Sequence, residues 1–239
     1  MIPQVMNGIV QDITSVLNDA YFHCGADEFV DKCWSEDSGI STWMREKNFT
    51  TTEAFGYYVN RIAEIVQSHS RTPMYWDEVW LQQLNVPLNS VIQVWHSQSL
   101  LQDVISSGYS AVLSNYDAWY LDCGIGGNWC PYCTWEDMLL NDPVTVGISI
   151  EQEKLILGGE VCMWGELVDF SNIEGVVWPR AAAVAERLWS EPSKINATHL
   201  LGEFYTRLKI HRCRMVRRGI RASPLEPGSS VDWCNDTPQ

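Results

Sequence analysis

The sequence predicts an α/β fold in which parallel strands alternate with helices. Short apolar runs have the near-continuous hydrophobic character of strands that are buried on both faces. There are five of these runs: one that begins at Tyr21, then Pro73–Trp76, Val91–Trp95, Ala111–Ser114 and Leu155–Cys162. Helical or loop-like segments separate most of them. This alternation is typical of βα units, either in a doubly wound sheet or in part of a (β/α)₈ barrel.

Several predicted helices follow from periodicity and end signals. Apolar residues recur at helical spacing from Met6 to Leu17, so a helix precedes the first strand. A short helix is predicted over Ser38–Lys47, and Thr52 with Glu53 begins a longer one that ends near Gln67. Its predicted buried face consists of Ala54, Tyr58, Ile62, Ile65 and Val66. Pro179 opens an alanine-rich helix, and a last helix runs from about Thr198 to Arg218 and stops at Gly219.

Composition restricts the function classes. A chain of 239 residues with 46% hydrophobic residues can bury a sizeable core, in one large domain or two small ones. Acidic residues outnumber basic ones by 30 to 16, which argues against a nucleic-acid surface and suits a neutral ligand. No stretch is long enough to span a membrane, so no transmembrane segment is expected.

Cysteines and glycosylation acceptors favour the secretory pathway, with a lysosomal or extracellular destination. Eight cysteines are many for a cytosolic enzyme. Acceptor sequences occur at Asn48, Asn196 and Asn235, although Pro238 weakens the last one. The segment that follows Met1 lacks the basic start and long apolar run of a signal peptide.

The first strand ends in the chain's most informative segment. Gly25 and Ala26 interrupt the apolar run, and Asp27 and Glu28 follow directly. In α/β barrels the chemistry lies at the carboxyl ends of the strands. Because adjacent strand residues point to opposite sides, two carboxylates can take different roles here only if the backbone turns, which Gly25 permits. The alternative is a solvated loop between a strand and a helix.

Tryptophans supply a second signal. The chain has twelve, and Trp76, Trp95 and Trp164 lie where predicted strands end. Flat apolar walls at strand ends are typical of pockets that bind sugar rings. By default each of these residues would be part of the core.

Two other motifs allow competing interpretations. Cys130 and Cys133 form a C-x-x-C motif, but it ends a loop rich in Gly and Trp instead of opening a helix, which disfavours redox catalysis. A disulfide from Cys123 to either of these cysteines is favoured. His23 with the acidic pair could suggest metal ligands, yet no zinc-type spacing is present, so we expect no metal and interpret His23 as a core histidine.

Six stretches in one order carry a family resemblance. They are His23-Cys24-Gly25-Ala26-Asp27-Glu28, Tyr75-Trp76-Asp77-Glu78, Ile92-Gln93-Val94-Trp95, Trp119-Tyr120-Leu121-Asp122, Gly158–Glu166, and Trp178-Pro179-Arg180 with Ala185-Glu186-Arg187-Leu188-Trp189. Together they resemble the β-N-acetylhexosaminidases of glycoside hydrolase family 20. The cysteine-bearing loop after Asp122 is most similar to the arthropod-type branch.

The resemblance implies a (β/α)₈ barrel that removes terminal N-acetylglucosamine or N-acetylgalactosamine with retention, without a cofactor. The substrate's own acetamido oxygen acts as nucleophile in such enzymes. Glu28 is then the general acid and base, and Asp27 orients the acetamido group. The resemblance assigns the remaining roles as follows: Tyr120 binds the acetamido carbonyl, Trp76, Trp95 and Trp164 form the sugar's walls, and Asp122 and Glu166 hold ring hydroxyls.

The resemblance also implies that residues 1–239 are the C-terminal portion of a single catalytic barrel, with about strands 4 to 8 and the C-terminal helices. The first three strands would carry a substrate-binding arginine and further polar pocket residues. Cys213 and Cys234 match a family disulfide. Ala26 stands where the family commonly has glycine, so we expect a strained backbone there.

Three hypotheses compete. The first is an exo-acting hexosaminidase whose chain is given incompletely, and the second is a truncated, non-catalytic product that binds sugars weakly or not at all. The third is an endo-chitinase, which the missing D-x-x-D-x-D-x-E signature disfavours. Chitin fragments, N-glycans and glycolipids are all candidate substrates. The sequence does not fix the oligomeric state, and a homodimer is one candidate for the full-length protein.

Overall fold

The computed structural model describes residues 2–126, 129–191, 200–226 and 234. The predicted glycosylation acceptors Asn196 and Asn235 lie outside these residues. The chain divides into two compact units. The first unit comprises residues 1–95, 99–112 and 148–157, and the second comprises residues 96–98, 113–147 and 158–239.

All five predicted strands are present. They are Tyr21–His23 (β1), Thr72–Trp76 (β2), Val91–Val94 (β3), Ser110–Leu113 (β4) and Ile156–Gly159 (β5). The sheet order follows the chain, from β1 to β5. β2 pairs in parallel with β1 and with β3, so the carboxyl ends of these three strands share one edge. The predicted α/β class is confirmed.

Helices separate the strands. The described part of the first half contains Ile2–Val16 (α1), Asp31–Glu36 (α2), Ser38–Lys47 (α3), Thr51–Ser68 (α4), Glu78–Leu81 (α5) and Gln98–Ser106 (α6). The later helices are Tyr116–Trp119 (α7), Trp135–Leu140 (α8), Ile150–Glu153 (α9), Ile173–Val177 (α10), Arg180–Trp189 (α11) and Leu200–Arg217 (α12). Among the described helices, none is long and apolar enough to cross a membrane.

Helix α4 organises the core of the first unit. Its N-terminus is a capping box, in which the Thr50 hydroxyl accepts the Glu53 N–H and the Glu53 carboxylate accepts the Thr50 N–H. The predicted buried face is present, although Tyr58 is only partly buried. That face packs against Val10 of α1, and Phe22 of β1 joins the same cluster. The amphipathic periodicity of α4 therefore fixes the position of β1.

Three helix starts differ from the prediction, and the smallest difference is in α4, which begins at Thr51 instead of Thr52. Helix α1 begins at Ile2 and not at Met6, because helical geometry continues into residues outside the apolar stripe. Pro179 is the N-cap of α11, so the helix itself starts at Arg180. Gly219 follows α12 with a φ of +87°, a left-handed conformation that ends a helix without steric cost.

A buried tryptophan organises the second unit. Trp119 is fully buried, and its indole N–H donates to the Met138 carbonyl of α8 at 2.9 Å. A Cβ atom on Gly159 would clash with the Trp119 ring. Glycine at the end of β5 therefore lets the ring lie directly against the strand.

Two disulfides are present, and both lie within the second unit. Cys123 pairs with Cys130, and Cys213 pairs with Cys234. The structure thus selects one of the two loop pairings that the sequence leaves open, and the Cys133 thiol is free and buried. Since Cys130 is bonded to Cys123, the C-x-x-C motif does not form a dithiol pair.

Peptide mapping tests these pairings. After alkylation and proteolysis without reductant, we expect one linked pair that contains Cys123 and Cys130 and a second that contains Cys213 and Cys234. Cys133 is only 4% exposed, so its alkylation should require denaturation. A linked pair of Cys123 and Cys133, or a free Cys213, would contradict the structure. A fully reduced sample, in which both links vanish, is the control.

Candidate active site

The acidic pair follows β1, and the pairing of β1 with β2 continues into the turn before it. The Cys24 N–H donates to the Met74 carbonyl at 2.7 Å, and the Trp76 N–H donates to the Gly25 carbonyl at 3.0 Å. These two bonds hold the start of the turn against the end of β2. Asp27 and Glu28 come next and are exposed to solvent.

The backbone turns sharply between Gly25 and Glu28. Gly25, Ala26 and Glu28 have φ values of +71°, +75° and +48°. The predicted turn is therefore present, and it takes two residues other than glycine into the left-handed region. For an L-residue that region costs roughly 1–2 kcal/mol, so Ala26 carries the strain that the sequence predicts.

A second acidic pair, Asp77 and Glu78, follows β2 as the first pair follows β1, but both of its side chains are buried. The Glu78 carboxylate accepts the Glu28 backbone N–H at 3.2 Å and the Trp95 indole N–H at 3.2 Å. The Asp77 carboxylate accepts the Trp95 backbone N–H at 3.0 Å. Trp95 is thus bound by the second pair through both its backbone and its indole.

Burial raises the pKa of Glu78 above its usual value. The N–H groups that donate to its carboxylate oppose this shift, and the charge of Asp77 adds to it. The hydrogen bonds from Glu28 and Trp95 therefore compensate a carboxylate that burial alone would penalise.

His23 is not the core histidine that the sequence predicts. Its side chain is exposed, because β1 presents this residue to solvent. The Nδ1 atom accepts the Gly25 N–H at 3.1 Å, and the ring lies edge-on to Trp76 with 5.1 Å between the ring centroids. His23 thus contacts the turn and one of the predicted sugar walls.

The second unit holds the other predicted site residues. Tyr120 is buried and pairs as a parallel bridge with Cys162, so its segment lies beside the one that leads to Trp164. The rings of Tyr120 and Trp164 are 6.0 Å apart between centroids. The Trp164 N–H donates to the Asp122 carboxylate at 3.2 Å. Within this unit the structure therefore brings together Tyr120, Asp122 and Trp164.

Asp122 is buried, whereas Trp164 and Glu166 are exposed. Burial raises the pKa of Asp122, and the Trp164 N–H that it accepts lowers it again. The negative charge of Glu166 also raises the pKa of Asp122, and Arg180 acts in the opposite direction. Two carboxylates of this group are thus close enough to interact electrostatically.

Sequence reasoning gave no role to Glu78, Asp77 or Trp129. The signal for the buried pair was present, since Asp77 and Glu78 come directly after a strand, and Asp27 and Glu28 come after a strand and a short turn. Trp129 is half exposed, and its ring lies 6.1 Å from that of Tyr120 and 5.9 Å from that of Tyr116. It belongs to a loop, where strand-end reasoning does not apply.

Comparison with known proteins supplies the family. The model of the catalytic domain of glycosyl hydrolase family 20 matches residues 2–192. The chain belongs to this family. It is 36% identical over 234 residues to β-hexosaminidase subunit beta of Mus musculus, covering 96% of this chain and 41% of that protein. It is 35% identical over 230 residues to β-hexosaminidase 3 of Arabidopsis thaliana, covering 95% of this chain and 41% of that protein.

The fold agrees with this assignment to family 20. The chain superposes on Flavobacterium johnsoniae chitobiase with a TM-score of 0.75 at 28% identity, covering 91% of this chain and 32% of that one. The fold is therefore that of part of a (β/α)₈ barrel, as the sequence predicts. The chain spans about two fifths of the length of the curated relatives that it matches.

The strain at Ala26 gives a prediction for this family 20 chain. Ala26→Gly should raise the free energy of unfolding by up to about 1 kcal/mol, because glycine adopts a positive φ freely and loses only part of that gain to chain entropy. Ala185→Gly removes the same methyl group from an exposed position inside α11 and should lower it by about 1 kcal/mol. Denaturant titrations of both variants, made in a protein extended upstream by the strands that complete the barrel, measure the two changes. An equal loss of stability in both variants would contradict the strain at Ala26.

Proposed function

We propose that this chain carries the acid–base pair and much of the sugar pocket of an exo-acting β-N-acetylhexosaminidase. Its substrates are glycans or chitooligosaccharides with a terminal N-acetylglucosamine or N-acetylgalactosamine. The observation that carries the proposal is the turn after β1, where a family 20 chain presents two adjacent, exposed carboxylates at the carboxyl end of a parallel strand.

In this proposal the two carboxylates have different tasks. Glu28 donates a proton to the glycosidic oxygen as the bond to the anomeric carbon breaks. Asp27 accepts a hydrogen bond from the acetamido N–H and stabilises the positive charge that this group gains. The backbone takes different directions at the two residues, since the φ of Glu28 is +48° and the φ of Asp27 is not positive.

Catalysis is substrate-assisted and retaining. The acetamido carbonyl oxygen attacks the anomeric carbon and forms an oxazolinium ring while the aglycone leaves with the proton of Glu28. The Glu28 carboxylate then takes a proton from water, whose oxygen attacks the same carbon and reopens the ring. Two displacements restore the original configuration, and no cofactor is consumed.

The other residues bind the sugar. Tyr120 donates a hydrogen bond from its hydroxyl group to the acetamido carbonyl. Asp122 and Glu166 accept hydrogen bonds from hydroxyl groups of the sugar ring. Trp76, Trp95 and Trp164 present apolar faces to the ring and the acetamido methyl group. The contacts that support these roles are the fixed position of Trp95 and the hydrogen bond between Trp164 and Asp122.

We propose that activity also requires chain upstream of the present sequence. Strand β1 is the first in the sheet order, Tyr21 is 48% exposed, and α1 exposes Ile9 and Ile13. A closed barrel pairs its first strand with its last, and the edge at β1 is an unprotected template for pairing. The alternative function is that of a truncated product without catalysis. The same observations favour this alternative if no further strand pairs with the edge at β1.

The proposal includes a secretory-pathway location, lysosomal or extracellular. The two disulfides and the exposed acceptor Asn48 support it. Assignment to the arthropod-type branch is also part of the proposal, and it rests on the resemblance of the cysteine-bearing loop after Asp122. A homodimer of the full-length protein is part of the proposal as well.

One assay tests this function against the alternative. Residues 1–239 and a protein extended upstream by three strands are compared on aryl N-acetylglucosaminide, aryl N-acetylgalactosaminide and chitobiose. We expect the extended protein to hydrolyse these substrates and to melt cooperatively, while residues 1–239 alone do neither. An extended protein that is folded but inactive on all three would refute the hexosaminidase. An active, monomeric 1–239 protein would refute the requirement for upstream chain.

A further inference from the structure

Glu78 is a buried carboxylate to which the proposed reaction gives no task. It is the first residue of α5, and only 8% of its surface is exposed. A buried carboxylate is costly unless hydrogen bonds compensate it, so its partners indicate what the position is for. Two of those partners belong to residues that the proposed function uses.

The first partner is the backbone of Glu28. The Oε1 atom of Glu78 accepts the Glu28 N–H at 3.2 Å, across 50 positions in the sequence. Glu28 has a left-handed backbone with a φ of +48°, and its side chain is exposed. The bond that the Glu28 N–H donates to Glu78 therefore fixes the peptide from which this exposed side chain extends.

The second partner is the indole of Trp95. Its Nε1 atom lies 3.2 Å from each carboxylate oxygen of Glu78. The backbone of Trp95 is bound separately, because its N–H donates to Asp77 at 3.0 Å. Asp77 thus fixes the main chain of Trp95, and Glu78 fixes the orientation of its ring.

One carboxylate therefore connects the peptide of Glu28 with the ring of Trp95. We propose that Glu78 is a positioning residue that sets the distance between the general acid and the sugar wall, an inference that rests on the proposed function. The sugar ring lies against Trp95, and the glycosidic oxygen must meet the Glu28 carboxyl. An error of about 1 Å in such an alignment can cost on the order of 10²-fold in rate.

The test uses Glu78→Asp, Glu78→Gln and Glu78→Ala in the extended protein. Each variant is assayed for kcat/KM on 4-nitrophenyl N-acetylglucosaminide and on chitobiose, whose sugar leaving group needs protonation far more. Glu78→Asp keeps the charge but withdraws the oxygens by one methylene. We expect its kcat/KM to fall on the order of 10²-fold on chitobiose and only about tenfold on the aryl substrate.

The other two variants separate position from charge. Glu78→Gln keeps an Oε1 acceptor for both N–H groups, so its ratio of the two kcat/KM values should lie within about threefold of the wild type, whereas Glu78→Ala should resemble Glu78→Asp. Val79→Ala is the matched control: Val79 is the neighbouring residue of α5 and is fully buried, so the variant loses stability but keeps the Glu78 carboxylate that accepts the Glu28 and Trp95 N–H groups. Its ratio should equal that of the wild type.

The outcomes distinguish the inference from the function on which it rests. An inactive wild-type protein refutes the hexosaminidase itself. An active wild type with an unchanged substrate ratio in Glu78→Asp refutes the positioning role alone, as does a ratio in Val79→Ala that shifts equally. If Glu78→Ala does not fold, the ratio in Glu78→Asp decides the question.

Discussion

The candidate site depends on one backbone interaction, the hydrogen bond from the Trp76 N–H to the Gly25 carbonyl. It extends the parallel pairing of β1 with β2 beyond the last residue of β1. The Cys24 N–H bond to Met74 before it and the Glu28 N–H bond to Glu78 after it hold the same turn, from which the side chains of Asp27 and Glu28 extend into solvent. The positive φ values at Gly25, Ala26 and Glu28 then set the direction in which the two carboxylates leave the backbone.

The two acidic pairs at neighbouring strand ends differ in burial. The pair after β1 is exposed to solvent. The pair after β2 is buried, where its carboxylates bind backbone and indole N–H groups. Removing an acceptor from such a buried N–H costs roughly 1–3 kcal/mol, so the second pair stabilises the positions of the Glu28 peptide and of Trp95.

Much of this could be predicted from the sequence because it is local. The five strands follow from short apolar runs, and α4 follows from its periodicity and from Thr52 and Glu53 in its first turn. The left-handed backbone at Ala26 could be anticipated because the turn needs a positive φ next to Gly25.

The rest depends on contacts between distant residues. The bond between Glu78 and Glu28 spans 50 positions, and no spacing rule reveals it. His23 was expected in the core because its neighbours are apolar, yet a three-residue strand at the start of the sheet order leaves it exposed. The choice of Cys130 over Cys133 depends on how the loop folds back, which composition does not encode.

The central claim is that Asp27 and Glu28 do different chemistry, and leaving-group dependence tests it most directly. In the extended protein, kcat/KM of Glu28→Gln and Asp27→Asn is measured on chitobiose and on 4-nitrophenyl N-acetylglucosaminide. We expect Glu28→Gln to lose roughly 10²-fold or more on chitobiose and much less on the aryl substrate, because only the former needs its proton. Asp27→Asn should slow both substrates alike. An equal loss on both substrates in Glu28→Gln, while cleavage of the glycosidic bond is rate-limiting, would contradict the assignment.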